Sequence, residues 1–463
     1  MKRNTVKGLV GLIFGCVIIG SLFPAKPVQA ENYWPSGIEV ESNAAIVMDQ
    51  NTGTILYQKN ETDAHYPASI TKIMTALVAI EHSDMKEEVT FSQAAVDQSL
   101  GGTSSIARDL NEVMTMEQCL YGMMLESANE CAYAIGEHVG GGDINTFVQM
   151  MNERAKELGC KNTHFSNPNG LHKEDHYTCA YDMALIARAA YSNQVFAKIT
   201  GTRAYQIPPT NKHSDITYLN NHHCMLNTYK TTEYLYEYCV GGKTGFTDEA
   251  NATLVTYAKK NGMTLICVVM DVDRTNQYVD TTNLFNYCFD NFTQYEIEDN
   301  EGLSDNVSPR KLGALGTNIE LVEIQDGLVI LPKTANLSQA EIAVEAMKEE
   351  ENPAVVGQLK YTYAGRYVGE AKLLYNKNES GGYPFHNLSV EEGGSDVAYY
   401  RVDFLTIFGV ILGVVGGIFL IVFLIRKADE LSTRIHRYRA ERRDPNRGLH
   451  RIKTKRPRRR RRR

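Results

Sequence analysis

The chain has 463 residues, 48 Lys and Arg against 55 Asp and Glu, and a formal net charge of −7. The charge is uneven: residues 426–463 hold 18 Lys and Arg and four acidic residues, a net of +14, which leaves −21 on the preceding 425. An acidic bulk excludes nucleic acid as the expected partner of the folded part, and the length leaves room for two domains.

Residues 1–30 read as a secretory signal, with Lys2, Arg3 and Lys7 as the basic start, LVGLIFGCVIIGSLF as the apolar run, and Val28-Gln29-Ala30 as a cleavage site before Glu31. Cys16 offers a lipid-modified cysteine as an alternative, but apolar residues continue past it. An uncleaved anchor is the other alternative, disfavoured by the small Ala30. Next, AAIVMD and TILYQ flank Gln50-Asn51-Thr52-Gly53, the pattern of a hairpin.

Ser69-Ile70-Thr71-Lys72 opens the apolar stretch ITKIMTALVAI, of helix length, with Pro67 just upstream where a helix start tolerates it. Ser-x-x-Lys puts hydroxyl and amine one turn apart on one helix face, so the amine can reach the hydroxyl. The same spacing recurs at Ser83–Lys86, in a charged stretch, and at Ser308–Lys311, which contains Pro309 and has no apolar periodicity. Neither sits on a buried helix. Residues 115–138 form a helical region interrupted around Glu126 to Asn129, which places Ser127 and Asn129 of Ser127-Ala128-Asn129 at the break. Amphipathic helices are expected over 143–158 and 180–192, separated by the loop FSNPNGLHKEDHYT.

Lys243-Thr244-Gly245 follows EYCVGG. Two buried strands, NATLVTYA and GMTLICVVMDV, come next, and the helix NQYVDTTNLFNYCFDNF closes this part near residue 293. Strands at both sequence ends with helices between them predict an α+β fold over residues 31–295, an antiparallel sheet flanked by helices in which the hairpin and the later strands share one sheet. Over 305–395, short alternating runs (NIELVEI, GLVILP, VVGQLKYTY, EAKLLYN) predict a small, mostly β domain with one acidic helical patch, AEIAVEAMKEEE. Glu391 to Ser395 reads as a hinge.

Residues 404–425 carry no charge over 22 positions, enough to cross a bilayer as a helix. With the basic tail at 426–463 cytoplasmic, the bulk of the chain lies outside the cell, and the tail touches anionic lipid headgroups. A nucleic-acid arm is the alternative for RRRRRR, disfavoured because no aromatic residues interleave it. Eight cysteines follow the signal; an even number permits disulfides, yet several lie in apolar surroundings as small hydrophobes, and the choice stays open. No Cys-x-x-Cys or His-Glu-x-x-His spacing suggests a metal, and His222-His223 reads as a surface-loop pair.

PASITKIMTA, SAN, KTGFT and NPNGLHKEDHYTCAYDMALIARA together resemble the low-molecular-mass penicillin-binding proteins, the serine-type D-alanyl-D-alanine carboxypeptidases, over roughly residues 36–290. Ala128 departs from the family, where glycine is usual, and so does a full span in place of an amphipathic anchor. The resemblance implies the penicillin-binding, serine β-lactamase-like fold and Ser69 as nucleophile on the penultimate D-alanine of a peptidoglycan stem peptide. Lys72 is then the base, made neutral by burial and by the nearby charge of Lys243. Ser127 relays a proton to the departing amine, and Asn129 orients Lys72 and the substrate amide. Lys243, Thr244 and Arg274 serve the terminal carboxylate, and Gly245 lets the peptide lie close to its strand. The backbone N–H groups of Ser69 and Phe246 form the oxyanion hole, worth about 3 kcal/mol per donor. β-Lactams would acylate Ser69, and no cofactor is implied. Three rivals remain: a serine β-lactamase, for which no Glu-x-x-Leu-Asn segment follows Ser127; a non-catalytic wall-binding scaffold, against which the intact motif residues speak; and a partner platform formed by the β domain and tail, with catalysis secondary.

Overall fold

Residues 33–297, 322–345 and 355–375 are described by the structure, a computed structural model. The expected signal, hinge, span at 404–425 and basic tail lie outside the described residues. Among the described residues no helix is long and apolar enough to cross a membrane.

The hairpin forms where the turn chemistry requires it. β1 (Ala44–Asp49) and β2 (Ile55–Lys59) pair antiparallel. Asp49 Oδ1 accepts from Thr52 N at 2.8 Å, and Gly53 takes φ +75° at the corner. A turn at Ala68–Thr71 leads into α1 (Lys72–His82), after which come β3 (Glu88–Thr90), α2 (Gln93–Asp97) and β4 (Val113–Thr115). The region expected as a broken helix is α3 (Met116–Leu125) and α4 (Asn129–Val139). Thr115 and Gln118 cap α3 reciprocally. Then follow α5 (Ile144–Glu157), α6 (Ala180–Ser192), α7 (Gln194–Gly201), β5 (Ala204–Ile207) and β6 (Thr217–Asn220). β7 (Cys239–Thr247), β8 (Asn251–Lys260), β9 (Met263–Val272) and α8 (Asn276–Asn291) complete this part.

The principal sheet has the order β2-β1-β9-β8-β7, antiparallel throughout, so hairpin and late strands share it as expected. Its strands read as nearly unbroken apolar runs because both faces are covered. Alternate residues divide between the two: Ile46, Met48, Ile266, Val268 and Met270 join the core under α1, α3, α4 and α6, while Val47, Leu265, Cys267 and Val269 pack with Leu284, Phe285 and Phe289 of α8. α1 runs through the first of these cores. Every residue from Lys72 to Ala79 is buried, which explains a helix with no polar face. β7 is one of the two edge strands, so its outer N–H and C=O groups are not used by the sheet.

The runs after residue 305 build a second five-stranded sheet of order β10-β11-β14-β13-β12. Its first strand, β10 (Phe292–Ile297), begins inside the segment expected to belong to the catalytic part, 31–295, and follows α8 directly. NIELVEI and GLVILP were separate runs in the pattern. The described part is one strand, β11 (Val322–Pro332), with a register shift between Gln325 and Leu328. The start of the expected acidic helix is instead β12 (Glu341–Glu345). Ile342 and Val344 pack inward while Glu341, Ala343 and Glu345 are exposed, and the whole run pairs with β13 (Val355–Tyr363). The period of two over EIAVE outweighed the helix propensity of Ala and Glu. β14 (Arg366–Tyr375) completes the sheet.

Candidate active site

Three segments far apart in sequence meet at one cleft of about 750 Å³, bordered by Ser69, Ser127, Asn129, Thr244, Gly245, Phe246 and Arg274. Ser69 lies not in α1 itself but in the 3-10 turn ahead of it. Ala68 just before it takes φ +50°, a conformation that favours glycine. The turn is pinned to the sheet by Thr253 Oγ1, which donates to Pro67 O at 2.8 Å. Ser127 occupies the break between α3 and α4 and also has a positive φ, +62°. Strained backbone thus falls on both hydroxyl-bearing segments.

Lys72 Nζ stands 3.0 Å from Ser69 Oγ, 2.8 Å from Asn129 Oδ1 and 2.5 Å from the main-chain oxygen of Asn169. Two of these neighbours are carbonyl oxygens that can only accept, so they take two N–H bonds of the amine. The third direction faces the Ser69 hydroxyl. A neutral Lys72 therefore points its lone pair at the proton that a serine nucleophile must lose. Burial, and after it the positive charge of Lys243, push the Lys72 pKa well below its ordinary value, while Glu130 works the other way. Asn129 itself is fixed by its N–H to Ser104 O at 2.9 Å.

Lys243 is 2% exposed, and its Nζ donates to Ser127 Oγ at 3.2 Å and to Thr244 O at 2.7 Å. Burial and then Lys230 bring its pKa down to about 7. Lys243 stands behind Ser127 rather than at the cleft surface, where Thr244 and Arg274 lie. An arriving carboxylate would favour its charged form again. Arg274 lays its guanidinium over the Phe246 ring at 3.4 Å and has no ion-pair partner among the described residues. It is a cation held at the cleft on a flat aromatic support.

Gly245 has a role the sequence did not suggest. A Cβ there would stand 2.9 Å from Ser69 N, so the missing side chain lets β7 press against the serine's own turn. That brings the N–H-bearing backbone of Ser69 and the strand carrying Phe246 to adjacent positions at the cleft.

The loop at 165–178 was legible as a loop but not as part of the site. It supplies the Asn169 carbonyl to Lys72, and it is anchored by His176, whose Nδ1 accepts from Ser166 N at 2.9 Å. Nε2 then carries the hydrogen and donates to Thr71 Oγ1 at 2.8 Å. Burial pushes the His176 pKa down to about 3. Thr75 Oγ1 donates to Pro168 O at 2.6 Å, a second tie between loop and α1. Asn, Pro and Gly content signals turn chemistry only; nothing in it says which carbonyl faces inward.

The His222-His223 pair is not a surface loop. His223 is 1% exposed and shares a 3.0 Å hydrogen bond with Thr256 Oγ1, while His222 borders the cleft and bonds Glu126 at 2.6 Å. The expected polarity failed because β6 and the residues after it are packed against the end of α3. The eight cysteines of the described residues are free thiols, seven of them buried. Asp109, Glu112 and His213 bring three metal-type ligand atoms together, but the buried Glu112 already accepts from Arg108 Nη1 at 2.9 Å and Thr210 Oγ1 at 2.7 Å. That set ties two loops together.

Comparison with known proteins gives one consistent outcome. The sequence pattern of the D-alanyl-D-alanine carboxypeptidase family, peptidase S11, matches residues 28–274, a span holding every residue of the cleft discussed so far, with Arg274 at its end. The chain is 33% identical to the D-alanyl-D-alanine carboxypeptidase DacF of Bacillus subtilis, over 64% of this chain and 72% of that protein. It is 32% identical to the D-alanyl-D-alanine carboxypeptidase of Streptomyces sp. strain K15, over 52% of this chain and 85% of that one. The crystal structure of the Streptomyces K15 DD-transpeptidase superposes with a TM-score of 0.51 at 29% identity, covering 55% of this chain and all of that one.

Proposed function

The chain belongs to the D-alanyl-D-alanine carboxypeptidase family of serine peptidases, and from that premise we propose that Ser69 carries its acyl-enzyme. It is a serine-type carboxypeptidase that removes the terminal D-alanine of peptidoglycan stem peptides and is inhibited by β-lactams. The observation that carries the Ser69 assignment is the neighbourhood of Lys72: two fixed carbonyl acceptors and one hydroxyl around a buried amine whose pKa is depressed.

The stem peptide lies along the open edge of β7, its terminal carboxylate met by Thr244 and Arg274. Lys72 takes the Ser69 proton as the hydroxyl adds to the carbonyl carbon. The backbone N–H groups of Ser69 and Phe246 hold the developing oxyanion. As the C–N bond breaks, Ser127 passes its proton to the departing D-alanine amine and takes a replacement, through its contact with Lys243, from the protonated Lys72, which is thereby neutral again. Water then repeats the sequence on the ester, with Lys72 again as base. Composition supports export through residues 1–30, anchoring through 404–425, contact of the basic tail with lipid, and a catalytic part outside the cell. Protease treatment of intact cells, which would remove the catalytic part and spare the tail, tests that arrangement.

The test of the activity is release of free D-alanine from a diacetyl-lysyl-D-Ala-D-Ala peptide by the purified full-length chain beside Ser69→Ala. Release that vanishes in the variant is expected. Well-folded protein that neither releases D-alanine nor binds penicillin would return the chain to the scaffold reading.

A further inference from the structure

Glu126, the residue before Ser127, ends α3 at the cleft, and its carboxylate is tied to a different part of the chain. Its Oε1 accepts from Asn220 N at 2.6 Å, and its Oε2 meets His222 Nε2 at 2.6 Å. His222 N in turn donates to Leu125 O at 3.2 Å. Three bonds therefore lace the end of α3 to residues 220–222. Both side chains are largely shielded, 18% exposed for Glu126 and 24% for His222, and His222 borders the cleft along with Ser127.

Residues 220–223 are themselves anchored. Asn221 Nδ2 donates to Thr200 O at 3.2 Å and Thr202 O at 3.0 Å, Asn227 Nδ2 donates to Asn221 O at 3.1 Å, and His223 meets Thr256 of β8. On the other side, Ser127 has φ +62°, and Ala128 at the start of α4 provides no side-chain cap. The break has no side-chain cap of its own to hold the left-handed serine, and the anchored 220–223 segment supplies support from outside.

We propose that Glu126 and His222 are a positioning pair that holds Ser127 in its left-handed conformation, aligning its hydroxyl between Lys243 and the departing amine. This rests on the carboxypeptidase reading above. Although burial opposes the charged form of Glu126, the His222 and Asn220 bonds keep its carboxyl below the usual range, so the pair is intact at neutral pH. The side chains facing it are His222 from the segment after β6 and Lys230 beyond it. Neither Glu126 nor His222 is required to touch the peptide. Ser127 acts on the proton of the leaving group, so misplacing it raises the barrier more than it weakens binding, and the effect belongs in kcat rather than KM.

The experiment is steady-state D-alanine release by the full-length chain with Glu126→Ala, Glu126→Gln and His222→Gln, beside melting temperatures. Glu126→Ala is expected to lower kcat tenfold or more with KM within twofold. Glu126→Gln keeps an oxygen for Asn220 N, and His222→Gln keeps an N–H for Glu126, so each is expected to recover most of kcat. Were Glu126→Ala unfolded at the assay temperature, His222→Ala removes the same contact and carries the same expectation. Wild-type kcat in the alanine variants, a change in KM alone, or a loss that the glutamine variants fail to restore would overturn the proposal. Absence of release by the wild-type chain would instead overturn the carboxypeptidase reading on which it rests.

Discussion

Replacing His176 by glutamine should flatten the acid side of the stability profile. In the folded chain this imidazole is 1% exposed, its Nδ1 already occupied as acceptor for Ser166 N, so a proton can enter only by breaking that bond. Its pKa is accordingly about 3 when folded, against 6.5 for an ordinary histidine. The unfolded chain takes up the proton near pH 6.5 and the folded chain refuses it until about pH 3. The stabilisation is thus complete above 6.5 and is lost as pH falls toward 3. Each unit of that interval costs about 1.4 kcal/mol, so His176 alone removes about 2 kcal/mol between pH 7 and pH 5. His223, pushed down to about 4 by burial, adds a similar slope over the same range. Urea titrations of the wild type and His176→Gln at pH 7, 6 and 5 measure the difference, in which all other groups cancel. The glutamine variant should start less stable at pH 7 and lose about 2 kcal/mol less on the way to pH 5. Parallel profiles would refute the assignment of His176 as a buried neutral clamp.

Gly245→Ala should cost at least a hundredfold in the rate of penicillin acylation, because the new methyl stands 2.9 Å from Ser69 N and pushes β7 off the serine's turn. A rate within threefold of the wild type would show that the strand can yield. Arg274→Ala should lower kcat/KM by about 10–100-fold, the range of a hydrogen bond to a charged group, on a peptide with a free carboxylate. On the same peptide with an amidated end, wild type and variant should be equally slow, and a remaining gap would place Arg274 elsewhere in the reaction. The native chain should react slowly with a thiol reagent, with Cys160 first among the described cysteines, since it is half-buried and the other seven are buried. Fast reaction of several thiols would contradict the cores built around them.

The principal fold was legible where periodicity and turn chemistry agree. β1 and β2 showed themselves through Gly53, α1 through an apolar run too long for a strand, and the break at Ser127 through the polar residues interrupting a helix. The site was legible because serine and lysine in one turn, and a Lys-Thr-Gly strand, are chemical requirements stated in adjacent residues. What the sequence withheld depends on distant contacts. The Asn169 carbonyl has no side-chain signature, and the Gly245 approach is visible only once Ser69 lies against β7. His222 and His223 look alike in sequence and differ in burial because one turns to Glu126 and the other to Thr256. The strand at Glu341–Glu345 is masked in the sequence because Ala and Glu favour helices, and only pairing with β13 gives its alternation a purpose.

The most direct test of the account is the mass of the covalent adduct formed when the full-length chain meets a penicillin, mapped by proteolysis. One adduct is predicted, on the peptide containing Ser69, absent from Ser69→Ala and formed at least a hundredfold more slowly by Lys72→Ala, the scale of a lost general base. An adduct on any other residue, or one that persists at full rate without Lys72, would contradict the mechanism.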